Sequence, residues 1–426
     1  MLKEYIALAV FAIIYVLIIG RIRFKVPIWV SMSIGAALML ALQVIGLGDA
    51  IKSIHLDVIM FLFGMFSIVT ALEQSGMLKS FAVKMLSKAK TPNSLLMMFV
   101  VGMGLLAAFL VNDAIALIGI PLVVYISKYL KIKPTVFLIA LAFGVTVGSV
   151  MTPIGNPQNL IIALQSGIAL PLVTFMEFLA IPTLINLFLT FFILKIYFKK
   201  DLLSTNVMLH SKMLEGHVVE NPRLAKLSVA VLVATIAGFF VSEILHFVHF
   251  IEIPISVVSL AGAAVLYAAN GQRLAILKKV DYTVLVFFVA MFVVTGALWD
   301  SGAISLFMKY LPTPSPDSVL SSNALISVYS VTFGQVLSNV PFVNLYNYIM
   351  IANGFTGAHV IPWMMLAASS TISGNLTILG AASTVIIIQA AESRGVRAFS
   401  FLEFLKIGSI VTVANLAVYY LFLAIF

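Results

Sequence analysis

Apolar residues run along the chain in stretches long enough to cross a hydrocarbon core, which takes about 20 residues in a helix. Ten such stretches stand out, at 4–20, 27–46, 57–76, 134–164, 175–198, 226–248, 253–270, 282–300, 360–390 and 403–426. Two more, 93–128 and 319–351, are each interrupted near the middle by polar residues, Asn112-Asp113 and Ser338-Asn339. Such interruptions predict hairpins that enter the membrane and return. The segment from Lys79 to Lys90 carries Lys on one helical face and Phe, Val, Met and Leu on the other, which predicts a helix lying in the membrane interface. The longest polar stretch, 199–222, falls midway and reads as a linker between a first half, 1–198, and a second half, 223–426.

Composition narrows the class. Of 426 residues, 62% are hydrophobic and 10% charged, whereas a soluble domain is roughly 45–50% apolar and about 25% charged. A water-facing globule of this make-up would lack the polar surface to cover itself, which excludes a soluble enzyme. The chain has no Cys, so disulfides, thiolate metal sites and thiol nucleophiles are excluded together.

The net charge of +9 acquires meaning from its placement. With the N-terminus outside, 22 of the 25 Lys and Arg residues fall in cytoplasmic loops, leaving only Lys3, Lys52 and Lys309 outside. Turning either hairpin into a single crossing would invert every later loop and spoil this asymmetry. Both termini are therefore predicted to be extracytoplasmic. The basic excess records topology in the cell membrane and does not point to a nucleic-acid partner. Positive charge follows the first apolar run at Arg21, Arg23 and Lys25, so 4–20 reads as a retained helix and not as a cleaved leader.

The sequence also repeats itself. Val26-Pro27-Ile28 with Gly35-Ala36-Ala37 matches Ile253-Pro254-Ile255 with Gly262-Ala263-Ala264 at an offset of 227 residues. Ala71-Leu72 and Ser75-Gly76 match Ala297-Leu298 and Ser301-Gly302 at 226, Asn112 matches Asn339 at 227, and Thr152, Ile154 and Gly155 match Thr377, Leu379 and Gly380 at 225. Each half holds five crossings and one hairpin, and an odd number of crossings turns the second half upside down. The predicted fold class is thus an all-α polytopic membrane protein, an inverted repeat of five transmembrane helices plus one re-entrant hairpin per half. Many secondary transporters are built this way, with their sites near the midplane at the repeat interface.

Polar and helix-breaking residues gather at two places in each half. One is the hairpin tip, Asn112-Asp113 and Ser338-Asn339. The other interrupts a long apolar run, at Thr152-Pro153-Ile154-Gly155-Asn156-Pro157-Gln158-Asn159 and at Gly374-Asn375-Leu376-Thr377-Ile378-Leu379-Gly380-Ala381-Ala382-Ser383-Thr384. Backbone freed from a helix inside a bilayer is tolerated only where protein buries it or it lines a cavity. Broken helices present N-terminal amides to an anion, and unwound carbonyls with Asn, Ser and Thr oxygens to Na⁺. No Lys or Arg lies in the middle of any predicted span, so an anion would be held by dipoles and amides. The candidate substrate and ion contacts are Asn112, Asp113, Thr152, Gly155, Asn156, Asn159, Ser338, Asn339, Asn375, Thr377, Gly380, Ser383 and Thr384, with Na⁺ assigned to Asn112, Asp113, Asn156 and Asn339.

Asp113 is the most informative of these, because a carboxylate inside the membrane costs about 2.5–3.5 kcal/mol and asks for a partner. It coordinates Na⁺, carries a coupling proton, or serves as a neutralised hydrogen-bonder; half two has Val340 at the matching place. Glu73 and Asp300 lie near span ends and suit capping roles. Glu243, His246, His249 and Glu252 sit toward one surface and read as solvated side chains.

At these residues the sequence resembles the ion transporter superfamily, which includes divalent anion/sodium symporters, citrate carriers, arsenite permeases and a branch of sodium/proton antiporters. The likeness spans essentially the whole chain. Dicarboxylate symporters carry Ser-Asn-Thr at the tips; Ser338-Asn339 keeps two of these and Asn112 one. Gly155-Asn156-Pro157-Gln158-Asn159 and the 374–382 segment look like the breaks of uncharacterised anion permeases of the group, although Thr384 stands where these often have Asn. Asn112-Asp113 is closer to the arsenite permeases. The resemblance implies an elevator-like motion of hairpins and broken helices against a scaffold, often in a homodimer. It leads to the expectation of a secondary active transporter of a small anion coupled to Na⁺ or H⁺, with no other cofactor. Arsenite efflux and sodium/proton antiport are the alternatives. A membrane-embedded enzyme lacks raw material: no His-rich set, Cys, or Ser with a nearby His and carboxylate occurs mid-span.

Overall fold

The computed structural model describes the chain except at residues 1, 20–23, 25, 87, 204–218, 252, 309–311 and 379. Arg21, Arg23, Lys25, Lys212, Lys309, Glu252, Leu379 and most of the predicted linker therefore lie outside the described residues.

Every described element is helical. The first half contains α1 (Leu2–Ile19), α2 (Ile28–Ala41), α3 (Leu56–Gln74), α4 (Pro92–Ala107, with a π turn at Met98–Gly102), α5 (Asn112–Leu130), α6 (Pro134–Gly148), α7 (Pro157–Gln165) and α8 (Pro171–Tyr197). The second half contains α9 (Pro222–Phe247), α10 (Ile255–Ala269), α11 (Tyr282–Asp300), α12 (Val319–Leu337), α13 (Asn339–Ala352), α14 (Val360–Ser373), α15 (Ala382–Glu392) and α16 (Phe401–Leu423). Proline opens α4, α6, α7, α8 and α9, where its missing N–H costs nothing and its fixed φ suits the first turn. Thr91 adds a reciprocal capping box with Ser94, and Asn221 and Ser400 cap α9 and α16.

Six described helices are long and apolar enough to cross a membrane: α3, α6 with its short 3-10 extension, α8, α9, α11 and α16. The molecule is a polytopic membrane protein. Stretches 134–164 and 360–390 are each broken into two helices, and both interrupted stretches become helix pairs, α4–α5 and α12–α13. The first interruption sits slightly upstream of Asn112: the chain leaves the helix after Ala107, Val111 takes φ 53°, and Asn112 opens α5. In the second, Ser338 alone, at φ 65°, makes the reversal.

The halves pack reciprocally. Helix α2 lies on α11 and its counterpart α10 lies on α3, while α5 lies on α15 and α13 on α7. Two groups result. One contains α1–α3 and α9–α11; the other contains both helix pairs, both broken helices, α8 and α16. Small residues let the second group close tightly, since a Cβ at Gly148 of α6 would overlap the Gly104 carbonyl of α4.

Between the groups run a few polar ties. Tyr15 of α1 donates to the Leu337 carbonyl at 3.0 Å, and Asn344 of α13 donates to Thr295 of α11 at 2.6 Å. Glu243 corrects the expectation of a solvated carboxylate. Its side chain is buried, and it accepts from the backbone N–H of Leu172 at 2.6 Å and of Val173 at 3.1 Å. It caps α8 from α9, filling a role that the helix's own N-cap cannot fill, since Leu170 has no side-chain oxygen.

Candidate functional site

The first break follows from two prolines four residues apart, Pro153 and Pro157, which deprive a helix of two N–H donors. Helix α6 tightens through Ser149–Met151, the chain extends at Thr152, and α7 restarts after Asn156. Asn156 caps the new helix by accepting from Asn159 N–H at 2.9 Å. Its Nδ2 donates to the Ser149 carbonyl at 3.0 Å and to Ser149 Oγ at 3.1 Å. Asn159 Nδ2 faces the carbonyls of Ser149, Val150 and Thr152, each at 3.3 Å. A Cβ at Gly155 would overlap the Ser149 carbonyl, so only glycine lets the loop fold back this closely.

The first tip docks on this break. Asn112 N–H donates to the Gly155 carbonyl at 2.9 Å, and the Thr152 hydroxyl donates to the Ala108 carbonyl. Asn112 Oδ1 accepts from Asp113 N–H at 2.9 Å. The Asp113 side chain stands half-buried in the first turn of α5, with no hydrogen bond or ion pair to a described residue.

From α14, Thr371 closes the network. Its hydroxyl donates to Asn159 Oδ1 at 3.2 Å and accepts from Asn156 Nδ2 and Gln158 Nε2, both at 3.3 Å. A hydroxyl has one donor and two acceptor positions, so Thr371 is fully used.

The second break is built differently. Gln335 of α12 donates to the Ser373 carbonyl at 2.8 Å and accepts from the Thr377 hydroxyl at 2.8 Å, while Ser373 Oγ lies 3.0 Å from Asn339 Oδ1 at the second tip. Gly374 and Gly380 pack the loop upon itself, Gly374 against Ala381 and Gly380 against Gly374. The N-cap of α15 is Ala381, which offers no side-chain acceptor. Asn375, Ser383 and Thr384 are buried, and neither the Asn375 amide nor either hydroxyl finds a hydrogen-bond partner among the described residues. Thus every residue singled out in the first break is hydrogen-bonded or tightly packed, whereas three of those in the second retain unused polar atoms.

Four participants lie outside the sequence motifs, Ser149, Gln335, Thr371 and Ser373, and Gln158, inside the first motif, was not among the candidate contacts. Also outside the motifs is a ladder joining α7 to α13, in which Gln165 donates to Asn344 at 3.2 Å and accepts from Asn347 at 2.9 Å. Their signal was a Gln, Ser or Thr within an apolar run, which is weak because such residues often bond only to their own helix. Among the described residues no group of three His, Asp or Glu could hold a metal ion. The site is neutral apart from Asp113, offering amides, hydroxyls and the open N-terminus of α15.

Comparison with known proteins places these features in context. A family model described as citrate transporter matches residues 14–368. An uncharacterised transporter of Mycobacterium bovis is 28% identical over 430 residues, covering 97% of this chain and 96% of the relative. Silicon efflux transporter LSI3 of Oryza sativa subsp. japonica is 24% identical over 411 residues, covering 84% of each chain. Among solved structures, the YdaH transporter of Alcanivorax borkumensis superposes with a TM-score of 0.50 at 14% identity, covering 88% of this chain and 86% of that one, which indicates a shared fold.

Proposed function

The chain belongs to the citrate transporter family of membrane transporters, and from that premise we propose that it is a secondary active transporter of a small anion coupled to Na⁺ or H⁺. Its family and relatives are transporters and not enzymes. The two halves, 1–198 and 223–426, act as an inverted repeat in the cell membrane with both termini outside. The group holding the hairpins and broken helices moves against the group of α1–α3 and α9–α11, giving alternating access with an elevator-like stroke. Reciprocal packing of the halves and the division into two helix groups support this reading.

One observation carries it: the unpartnered Asn375, Ser383 and Thr384 at the second break. A buried polar group left unpaired costs about 1–3 kcal/mol, and a native protein retains such groups where a ligand or water completes them. Three beside an uncapped helix N-terminus form a cradle for a small oxyanion or carboxylate. Asn112, Asn156, Asn159, Ser338, Asn339, Thr377 and Gly380 shape its surroundings, and Asp113 carries the coupling charge. A second reading, export of a small uncharged hydroxylated solute such as arsenite, is favoured by the neutrality of these groups and by the silicon efflux relative.

Purified protein in proteoliposomes should accumulate substrate only under an imposed Na⁺ or H⁺ gradient. Asp113→Asn should abolish gradient-driven accumulation, and Asn375→Leu should abolish uptake altogether. Full coupled accumulation by Asp113→Asn would remove Asp113 from its role. Uptake by Asn375→Leu at the wild-type rate would remove the second break from the substrate path.

A further inference from the structure

The two breaks occupy matching places in the sequence repeat, yet they differ in their amides and hydroxyls: in the second, Gln335 Nε2 takes the Ser373 carbonyl alone, at 2.8 Å, and the polar side-chain atoms of Asn375, Ser383 and Thr384 have no partner among the described residues. In the first, the carbonyls of Ser149, Val150 and Thr152 converge on a single atom, Asn159 Nδ2, at 3.3 Å each. Converging carbonyls at a helix interruption are the arrangement that coordinates a monovalent cation in broken-helix carriers. Here the partial positive charge of an amide N–H₂ stands in that position. The Asn156 amide takes the Ser149 carbonyl a second time, together with Ser149 Oγ.

The Asn159 side chain is held in place. It is fully buried, its Oδ1 accepts from the Thr371 hydroxyl at 3.2 Å, and its own N–H is bound by Asn156 Oδ1 at 2.9 Å. Turning the amide over would bring Oδ1 against three carbonyl oxygens, so the carbonyls themselves fix its orientation. The residue 225 positions later is Thr384, which is shorter, buried, and has an unpartnered hydroxyl.

We infer that Asn159 is a specificity-determining residue that closes the first break to metal cations, its amide standing where a Na⁺ would bind, so that any metal cation coupled to transport binds at the second break beside Thr384. This rests on the proposed transport function and sharpens it: Asn156 leaves the set of Na⁺ ligands, and the pseudo-symmetric carrier has one cation position in place of two. A solute gradient can then be coupled at the second break, with Asp113 as the proton-linked group of the first.

The test reads ion binding without transport, so it stands whether or not the uptake assay succeeds. Purified wild type, Asn159→Thr and Asn159→Ser are melted in detergent over 1–100 mM NaCl, with choline chloride holding ionic strength constant. Each replacement removes the amide and makes the first break resemble the second. A newly opened site should add a Na⁺-dependent rise in Tm of about 3 °C beyond any seen in wild type. A rise equal to or smaller than that of wild type in both variants overturns the proposal, because Asn159 would then be a bystander or a ligand. Hydrogen exchange of wild type supplies a second measurement that needs no variant to fold. Na⁺ should leave the amides of residues 149–160 unchanged, and Na⁺-dependent slowing there overturns the proposal.

Discussion

Removing the carboxylate of Glu243 isolates one contact between the two helix groups. It accepts from two consecutive backbone N–H groups in the first turn of α8, at 2.6 and 3.1 Å, from a position only 4% exposed. In Glu243→Ala the Leu172 N–H is left buried and unpaired, which costs about 1–3 kcal/mol. The Val173 N–H lies in a more open position, so its loss adds roughly 1 kcal/mol, and the carboxylate's attraction to the helix N-terminus adds about 1 more. Relief of the buried charge's desolvation offsets part of this. The net is a destabilisation of about 2–4 kcal/mol, or a Tm lower by roughly 3–6 °C in a chain of this size. Glu243→Gln keeps one acceptor oxygen and should lose about half as much. Thermal unfolding in detergent measures both, with amide exchange at 172 and 173 as the local readout. The reasoning fails if Glu243→Ala melts within 1 °C of wild type, as estimated from the same contributions, or if Gln and Ala are equally damaging.

Two further outcomes are expected. Gly148→Ala should part α4 from α6 and destabilise by about 1–3 kcal/mol, an overpacking loss that thermal melts would show and that Gly104 cannot relieve because its backbone is what the new Cβ meets. His55, edge-on to Phe292 with a buried, unpartnered Nε2, has its pKa lowered by burial, which the nearby Asp57 partly opposes. The folded state therefore resists a proton that the unfolded chain accepts below about pH 6.5. Stability should fall as pH drops below that value, and His55→Phe should flatten the decline between pH 7.5 and 5.5.

The breaks were legible in the sequence because their cause is local: Pro153 and Pro157 cannot both sit inside a helix, and Gly374 and Gly380 flank a stretch with nothing to hold one. Two matched helix starts were legible because proline marks both, Pro27 and Pro254 preceding α2 and α10 alike. What a residue bonds to was another matter. Glu243 finds its partners on backbone some seventy residues away, and a backbone N–H carries no sequence signal. Thr371 looked like any mid-span threonine, yet it is the atom through which the first break meets the second half. Asn159 was readable as an ion-facing amide, but which end of the amide faces the carbonyls depends on three oxygens that only the folded loop brings together. The first turn moved upstream for the same reason: the Asn112 N–H is claimed by Gly155, a residue of another segment.

The crossed packing of the broken helices bears on how the chain is made. Helix α7 rests on α13, and α15 rests on α5. As the ribosome delivers the first half, α7 can settle only against α3 and α8; its broader packing, on α13 and α14, waits until residues 339–373 have entered the membrane, and Thr371 must arrive before Asn156, Gln158 and Asn159 gain their last hydrogen bonds. Contacts so distant in sequence are slow to form. The nascent first half must therefore wait with Gln158 lacking its Thr371 partner and part of α7 uncovered, a stage at which membrane quality-control proteases can act.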